Sequence, residues 1–184
     1  MNCWRSSGVE PVMEELFDIY DEQGNRIGTA PRRQCHGDPS LLHHTSHVVI
    51  IHPDTGDILL QKRSCDKDIQ PGKWDTAVGG HLALGEDFET GAKRELAEEL
   101  GISGVELFHI FDSKIRNDIE SEDVRVFGAF AADGFKFDPV EIDEIRFWDR
   151  AALEDPENQS HFTPNLIEEL KSLKLAGKFY PPAK

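Results

Sequence analysis

The chain has 184 residues, and its composition, 38% hydrophobic and 30% charged, is ordinary for a globular protein with one core. The net charge of −15 disfavours nucleic acid polymers and anionic membrane surfaces as partners, because both repel an acidic protein. No apolar run is long enough to cross a bilayer or to resemble a signal peptide, and the three cysteines lack tight spacing. These features predict a protein of a reducing, cytoplasmic compartment.

The first part of the chain is predicted to form hairpins. Residues 15–32 hold two strand-like runs around the turn formers at 21–25, and residues 47–63 repeat this pattern around an Asp-Thr-Gly-Asp turn. A loop with a Pro-Gly pair follows, and residues 74–82 then form a short strand that contains a glycine pair.

A helix is predicted at residues 88–100, because apolar residues recur every four positions up to Leu100. Asp87 can cap its N-terminus, and Gly101 can end it. The later elements are strands at residues 104–116, 123–133 and 144–150 and an amphipathic helix at residues 163–177.

Hairpin-forming strands with few helices indicate an α/β fold of the α+β type, in which helices pack on a mixed sheet. We predict a single domain over residues 1–184. Residues 1–44 would form an N-terminal extension with a hairpin, and residues 45–177 would form the core.

The predicted helix carries many carboxylates. Because successive helical residues turn by about 100°, Glu95, Glu98 and Glu99 share one narrow face. Carboxylates this close repel one another unless a cation neutralises them. Oxygen-rich clusters suit Mg²⁺, which is often held by few carboxylates and the phosphates of a substrate. The pattern indicates a divalent cation site, and the alternative is a solvated acidic face.

Residues just before this face can extend the cluster. Glu86 can join it, and Arg94 can pair with Glu86 and hold it in place. The pair Gly79 and Gly80 allows the backbone to approach an ion closely, which makes the Gly80 carbonyl a candidate metal ligand.

The spacing of these residues resembles the Nudix box, G-x5-E-x7-R-E-U-x-E-E-x-G-U, at every fixed position from Gly80 to Ile102. The resemblance implies a Nudix fold, with a mixed β-sheet sandwiched between α-helices. It also implies Mg²⁺- or Mn²⁺-dependent hydrolysis of a nucleoside diphosphate linked to another group. By this match Glu98 and Glu99 are metal ligands, and Glu95 is a ligand or the base that deprotonates water.

Residues around the box resemble a narrower group, the isopentenyl-diphosphate isomerases and their hydrolase relatives. In the isomerases, matching positions form a metal site of three His and two Glu, which here would be His36, His43, His81, Glu120 and Glu122. Such a set suits a transition metal or Mn²⁺, so it is a candidate second metal site. His44 and His47 are interpreted as ordinary polar residues of a loop or strand.

The same resemblance also marks differences. A segment that binds the substrate's diphosphate in the isomerases would supply Arg63 and Lys67 here. However, Gly79 stands where the isomerases carry a catalytic Cys, and Asn165 stands where they carry a functional Trp. We therefore predict hydrolase chemistry on an isomerase-like scaffold.

Two alternatives to a metal-dependent diphosphate hydrolase stay open at this point. One is an isopentenyl-diphosphate isomerase, and the other is a non-catalytic nucleotide-binding module, which would have no need of the candidate base Glu95. In the favoured interpretation the partner is a small-molecule diphosphate. The sequence does not identify that molecule, and it is compatible with a homodimer.

Overall fold

The computed structural model describes residues 14–67 and 70–177, so Cys3 and the remainder of the predicted extension before residue 14 lie outside the described residues. Their strands are β1 (Leu16–Tyr20), β2 (Arg26–Pro31), β3 (Leu42–Ile51), β4 (Ile58–Arg63), β5 (Trp74–Thr76), β6 (Val78–His81), β7 (Phe108–Arg116), β8 (Ser121–Phe130) and β9 (Ile142–Trp148). Their helices are α1 (Arg32–Cys35), α2 (Phe88–Leu100), α3 (Arg150–Glu154), α4 (Pro156–Gln159) and α5 (Pro164–Leu175). The predicted α+β class is confirmed.

Strand β3 is the centre of the sheet. It runs parallel to β8 along its whole length, and this register places His43 beside Glu122. It runs antiparallel to β6, which places His47 beside Gly79. Strand β4 pairs with β5 and β9, and β7 extends the sheet beyond β8. The register of β3 therefore gathers polar residues from distant parts of the chain.

Both faces of β3 are covered by helices, which explains its continuous apolar run. Val48 and Ile50 belong to the core that α2 covers through Leu96. Val49 belongs to a second core, which α5 covers through Leu170. The sheet is thus sandwiched between helices, as the sequence predicts.

The N-terminal hairpin of β1 and β2 joins the sheet where Tyr20 pairs with Leu42. Buried Asp18 accepts hydrogen bonds from Arg26 Nε at 2.5 Å and from the Gly85 backbone N–H at 2.7 Å. These bonds tie the hairpin to the loop before α2. The predicted division between residues 44 and 45 falls inside β3, so extension and core share this strand.

The stretch predicted as one strand at residues 74–82 forms two strands with different partners, because β5 pairs with β4 and β6 pairs with β3. Strands β3 and β4 themselves pair only at Ile51 and Ile58, and so they diverge beyond that point. The short strands β5 and β6 therefore follow the two diverging strands, β5 beside β4 and β6 beside β3.

The sequence does not predict α1, α3 and α4, because helices of four or five residues are too short to show a helical period. Helix α2 has the predicted bounds, with the Asp87 side chain accepting from the Thr90 N–H and Gly101 in the left-handed region. No helix in residues 14–67 or 70–177 has the length and apolar character that a membrane crossing requires.

The end of α2 gives a test of the packing. Gly101 has φ +66°, and a Cβ atom there would lie 2.9 Å from Lys136 Cβ. Gly104 has φ +76° and open space around it, so it carries the same backbone constraint without the contact. Gly104→Ala is expected to lower the free energy of unfolding by about 1–2 kcal/mol, and Gly101→Ala by more. Urea denaturation followed by circular dichroism measures both, and equal losses would contradict the packing argument.

Candidate functional site

Arg94 organises the acidic side of α2. Its Nε and Nη2 atoms donate to the two carboxylate oxygens of Glu86 at 2.9 and 3.0 Å. Its Nη1 atom donates to Glu95 at 2.7 Å and to Glu98 at 3.0 Å. Nη2 also donates to the His81 backbone carbonyl at 2.9 Å. One guanidinium thus joins the loop before α2, the helix itself and the end of β6.

Glu95 packs directly against β6. A Cβ atom added at Gly80 would overlap the Glu95 carboxyl group, so only glycine leaves room for this side chain. Burial raises the pKa of Glu95, and its hydrogen bond and ion pair with Arg94 oppose the rise. A carboxyl group in such an environment is better suited to accept a proton than an exposed one.

Glu99 lies deeper in the same face. Gln61 Nε2 donates to Glu99 Oε2 at 3.2 Å, and the Gly79 backbone also hydrogen-bonds the carboxylate. Burial and the negative charge of Glu95 raise the pKa of Glu99 to about 7. The Glu98 side chain, by contrast, is 60% exposed. The face therefore concentrates repelling charge that a bound cation would relieve.

Positive charge collects opposite this face. Burial and the positive charges of Arg63 and Arg32 lower the pKa of Lys67, whereas the charge of Glu99 opposes that change. Lys67 also pairs with Glu141, and Arg63 Nη1 lies 3.6 Å from Asp75 Oδ2.

Sequence reasoning missed Arg32, because it lies on the short helix α1 in the extension. Its Nη1 donates to Glu15 Oε2 at 2.9 Å, and its charge acts on both Lys67 and His36. Gln61, the side-chain partner of Glu99, was missed as well, since a lone amide in a strand carries no distinctive spacing.

Four of the five residues predicted for the second metal site converge, and they are His36, His43, His81 and Glu122. Each offers one ligand atom, and these atoms lie within 4.8 Å of one another. The Nε2 atoms of His36 and His81 are 2.9 Å apart. Glu122 Oε1 lies 3.4 Å from Nε2 of both His43 and His81. Residues from the C-terminal cap of α1 and from β3, β6 and β8 thus form one cluster.

The surroundings of this cluster favour a cation. His43 Nδ1 bonds the Leu41 carbonyl at 3.0 Å, and its Nε2 is buried without a hydrogen-bond partner among the described residues. Phe17 stacks on His81 with ring centroids 4.4 Å apart and on His43 at 5.3 Å. Burial and the charge of His81 lower the pKa of His36 to about 4, so its imidazole is in the neutral, metal-binding form at pH 7.

Glu120 lies outside this group. Asn117 Nδ2 donates to its carboxylate at 3.4 Å in the turn before β8. Because Glu120 precedes β8, the sheet register does not place its side chain as it places that of Glu122.

Known proteins resemble this chain in sequence and in fold. Residues 42–170 match the NUDIX domain family. The chain is 38% identical over 135 residues to an uncharacterised Nudix hydrolase of Yersinia pestis, covering 71% of each protein. It is 32% identical over 153 residues to an isopentenyl-diphosphate Delta-isomerase of Aliivibrio fischeri, covering 77% of this chain and 84% of the isomerase. The crystal structure of DR0079 from Deinococcus radiodurans shares the fold, with a TM-score of 0.63 and 17% identity over 90% of this chain and 99% of that one.

The raised pKa of Glu99 predicts a pH-dependent stability in the absence of cations. Below its usual pKa of 4.5 the group is protonated in both the folded and the unfolded state. As the pH rises through about 7, the folded state must bury an ionised carboxylate, so stability is lost. In EDTA, Glu99→Gln is therefore expected to raise the free energy of unfolding by about 1–3 kcal/mol at pH 8 and by under about 1 kcal/mol at pH 5.

Denaturant titrations at the two pH values measure this effect. Glu98→Gln is the matched control on the same helix, and its exposed side chain predicts a smaller change. A Glu99→Gln variant no more stable than the parent at pH 8 would contradict the assignment of Glu99 as a buried, repelled carboxylate.

Proposed function

The chain belongs to the Nudix hydrolase family, and on this premise we propose that it is a divalent-metal-dependent hydrolase of a diphosphate linkage. The substrate would be a nucleoside diphosphate derivative or a related phosphorylated metabolite. One observation carries the proposal, namely that Arg94 holds Glu86, Glu95 and Glu98 in one network beside the buried Glu99. A site with this much negative charge needs a cation before it can accept an anionic diphosphate.

The donor set fits Mg²⁺ or Mn²⁺. Glu95, Glu98 and Glu99 supply hard oxygen ligands, and Glu86 and the Gly80 carbonyl are further candidates. A bound divalent cation would neutralise phosphate charge and lower the pKa of water in the site.

The chain's own residues then have distinct tasks. Arg94 orients the carboxylates, and Glu95, seated against Gly80, is a candidate base. Arg63 and Lys67 would bind the diphosphate, because both lie on the cationic side opposite Glu99. In this assignment Arg32 adds a third positive charge from the extension.

The 32% identity to an isomerase raises the alternative that this protein is an isomerase. Against it stand Gly79 and Asn165, which lack the thiol and indole that alkene protonation would use. A binding-only module is disfavoured by the complete set from Glu86 to Glu99. The compartment and a homodimer stay predictions from the sequence.

A hydrolysis screen tests the proposal. Phosphate and pyrophosphate release are measured with Mg²⁺ and Mn²⁺ over nucleoside di- and triphosphates, nucleotide sugars and coenzyme A esters. Isopentenyl diphosphate is incubated in parallel and analysed for its dimethylallyl isomer. We expect metal-dependent hydrolysis of at least one compound and no isomerisation. Robust isomer formation, or binding without turnover across the whole screen, would replace the hydrolase assignment.

Glu98→Gln and Glu99→Gln are each expected to lower kcat by about 100-fold or more, because a metal-binding charge is worth several kcal/mol in the transition state. The amide keeps the side-chain volume, so the circular dichroism spectrum should not change. Glu89→Gln on the first turn of the same helix is the control, since Glu89 pairs only with Lys93 among the described residues. Near-normal turnover of either test variant at saturating Mg²⁺ would contradict the assignment of that glutamate as a metal ligand.

We further propose that the cluster of His36, His43, His81 and Glu122 can bind a transition metal or Mn²⁺, with Glu120 as a fifth candidate. The close approach of the ligand atoms of these four residues supports this, because a bound cation would be shared by all of them. Imidazole binds Mn²⁺, Fe²⁺ or Zn²⁺ and is a poor ligand for Mg²⁺.

Removal of one imidazole tests this site. His36→Ala is expected to weaken Co²⁺ binding, followed by its visible absorbance, by about 10-fold or more. His161→Ala is the control, since His161 is exposed and lies outside the cluster. Equal Co²⁺ affinity in the two variants would mean that the cluster holds no metal.

A further inference from the structure

His47 is a half-buried imidazole that has no role in the sites described above. It lies on β3, on the same face as His43 and Thr45, because side chains alternate along a strand. Its Nδ1 lies 2.7 Å from Glu169 Oε2 on α5, and the two side chains are only 17% and 7% exposed. The sequence interpretation of His47 as an ordinary strand residue gives no reason for such a pair.

The Glu169 pair fixes the direction in which His47 points. Since Nδ1 donates to Glu169, the ring presents Nε2 on its other side, and Nε2 has no hydrogen-bond partner among the described residues. Burial would lower the pKa of His47, but the bond to Glu169 and the charges of Glu169, Asp75 and Glu122 raise it to about 9. The ring therefore carries an N–H at both nitrogens at neutral pH.

Gly79 lies against the edge of the ring formed by Cδ2 and Nε2. A Cβ atom added at Gly79 would lie 3.3 Å from His47 Nε2 and 3.2 Å from His47 Cδ2. The backbone of Gly79 also bonds the carboxylate of Glu99. Asp75, held by a 2.8 Å bond from Thr163 Oγ1, acts electrostatically on both His47 and Glu99. Gly79 therefore contacts both the His47 ring, on one side, and the Glu99 carboxylate, through its backbone.

We propose that His47 Nε2–H donates a hydrogen bond to a phosphoryl oxygen of the substrate beside Gly79, with Glu169 as the residue that orients the ring. The inference rests on the proposed diphosphate substrate. It adds to the site a positively charged hydrogen-bond donor that lies on the sheet face opposite α2. It gives Gly79 a function as well, because any side chain there would sit against the donor.

Two amide variants of His47 distinguish a contact with the substrate from a purely structural pair with Glu169. The amide nitrogen of Asn can take the place of Nδ1 and keep the bond to Glu169, whereas that of Gln can take the place of Nε2. The affinity for Mg²⁺ with methylenediphosphonate, a non-hydrolysable diphosphate, is measured by calorimetry. His47→Asn is expected to weaken binding by about 10- to 100-fold, and His47→Gln by less than about 5-fold.

The reverse order, or equal losses in the two variants, would overturn the proposal, because pairing with Glu169 would then explain the effect. Gly79→Ala covers the case in which the His47 variants fail to fold. It keeps His47 and Glu169 and places a methyl group 3.2 Å from Cδ2 and 3.3 Å from Nε2 of His47, so it should hinder a ligand at Nε2 and weaken binding by about 10-fold. Unchanged affinity in Gly79→Ala would also overturn the proposal.

These experiments distinguish a failure of the His47 contact from a failure of the proposed hydrolase function. Hydrolysis by the parent protein tests the reaction, whereas the order of the two His47 variants in diphosphonate binding tests the contact. A parent protein that hydrolyses its substrate while His47→Asn binds normally refutes only the His47 contact. A parent protein that binds the diphosphonate through His47 but hydrolyses nothing refutes only the reaction.

Discussion

The guanidinium of Arg94 is the interaction on which the rest of the site depends. It joins Glu86 before α2, Glu95 and Glu98 on α2, and the backbone of His81 at the end of β6. Without this cation, three carboxylates would repel one another across a helix face and a loop. Because His81 also belongs to the imidazole cluster, the same side chain sets the distance between two groups of candidate metal ligands.

The parts that the sequence could predict depend on short-range chemistry. Helix α2 follows from its four-residue period and its caps, and the carboxylate face follows from helical geometry alone. The convergence of His43 and His81 with Glu122 was predicted from a family resemblance, since nothing local links them. Glu120, in the turn two positions before Glu122, lies outside the four-residue group, and its role as a ligand stays a prediction.

The parts that could not be predicted are pairs that only the tertiary structure creates. His47 and Glu169 lie 122 positions apart, and neither strand nor helix periodicity indicates that a buried acid and a half-buried imidazole meet. The charge of Arg32 acts on Lys67 only because the tertiary structure brings α1 near the loop after β4. In both cases the sequence shows only a polar or charged residue, and such residues usually face solvent.

The parallel pairing of β3 with β8 has a consequence for how the protein folds. Thr45 and Glu122 bond each other although they are 77 positions apart, and β6, β7 and α2 all lie between them in sequence. Closing so long a loop is entropically expensive, and non-local parallel pairing is slow. The imidazole cluster exists only after that step, when β8 docks beside β3. Metal binding by this cluster would therefore indicate that β8 has paired with β3. A folding intermediate without this pairing would contain helix α2 but no imidazole site.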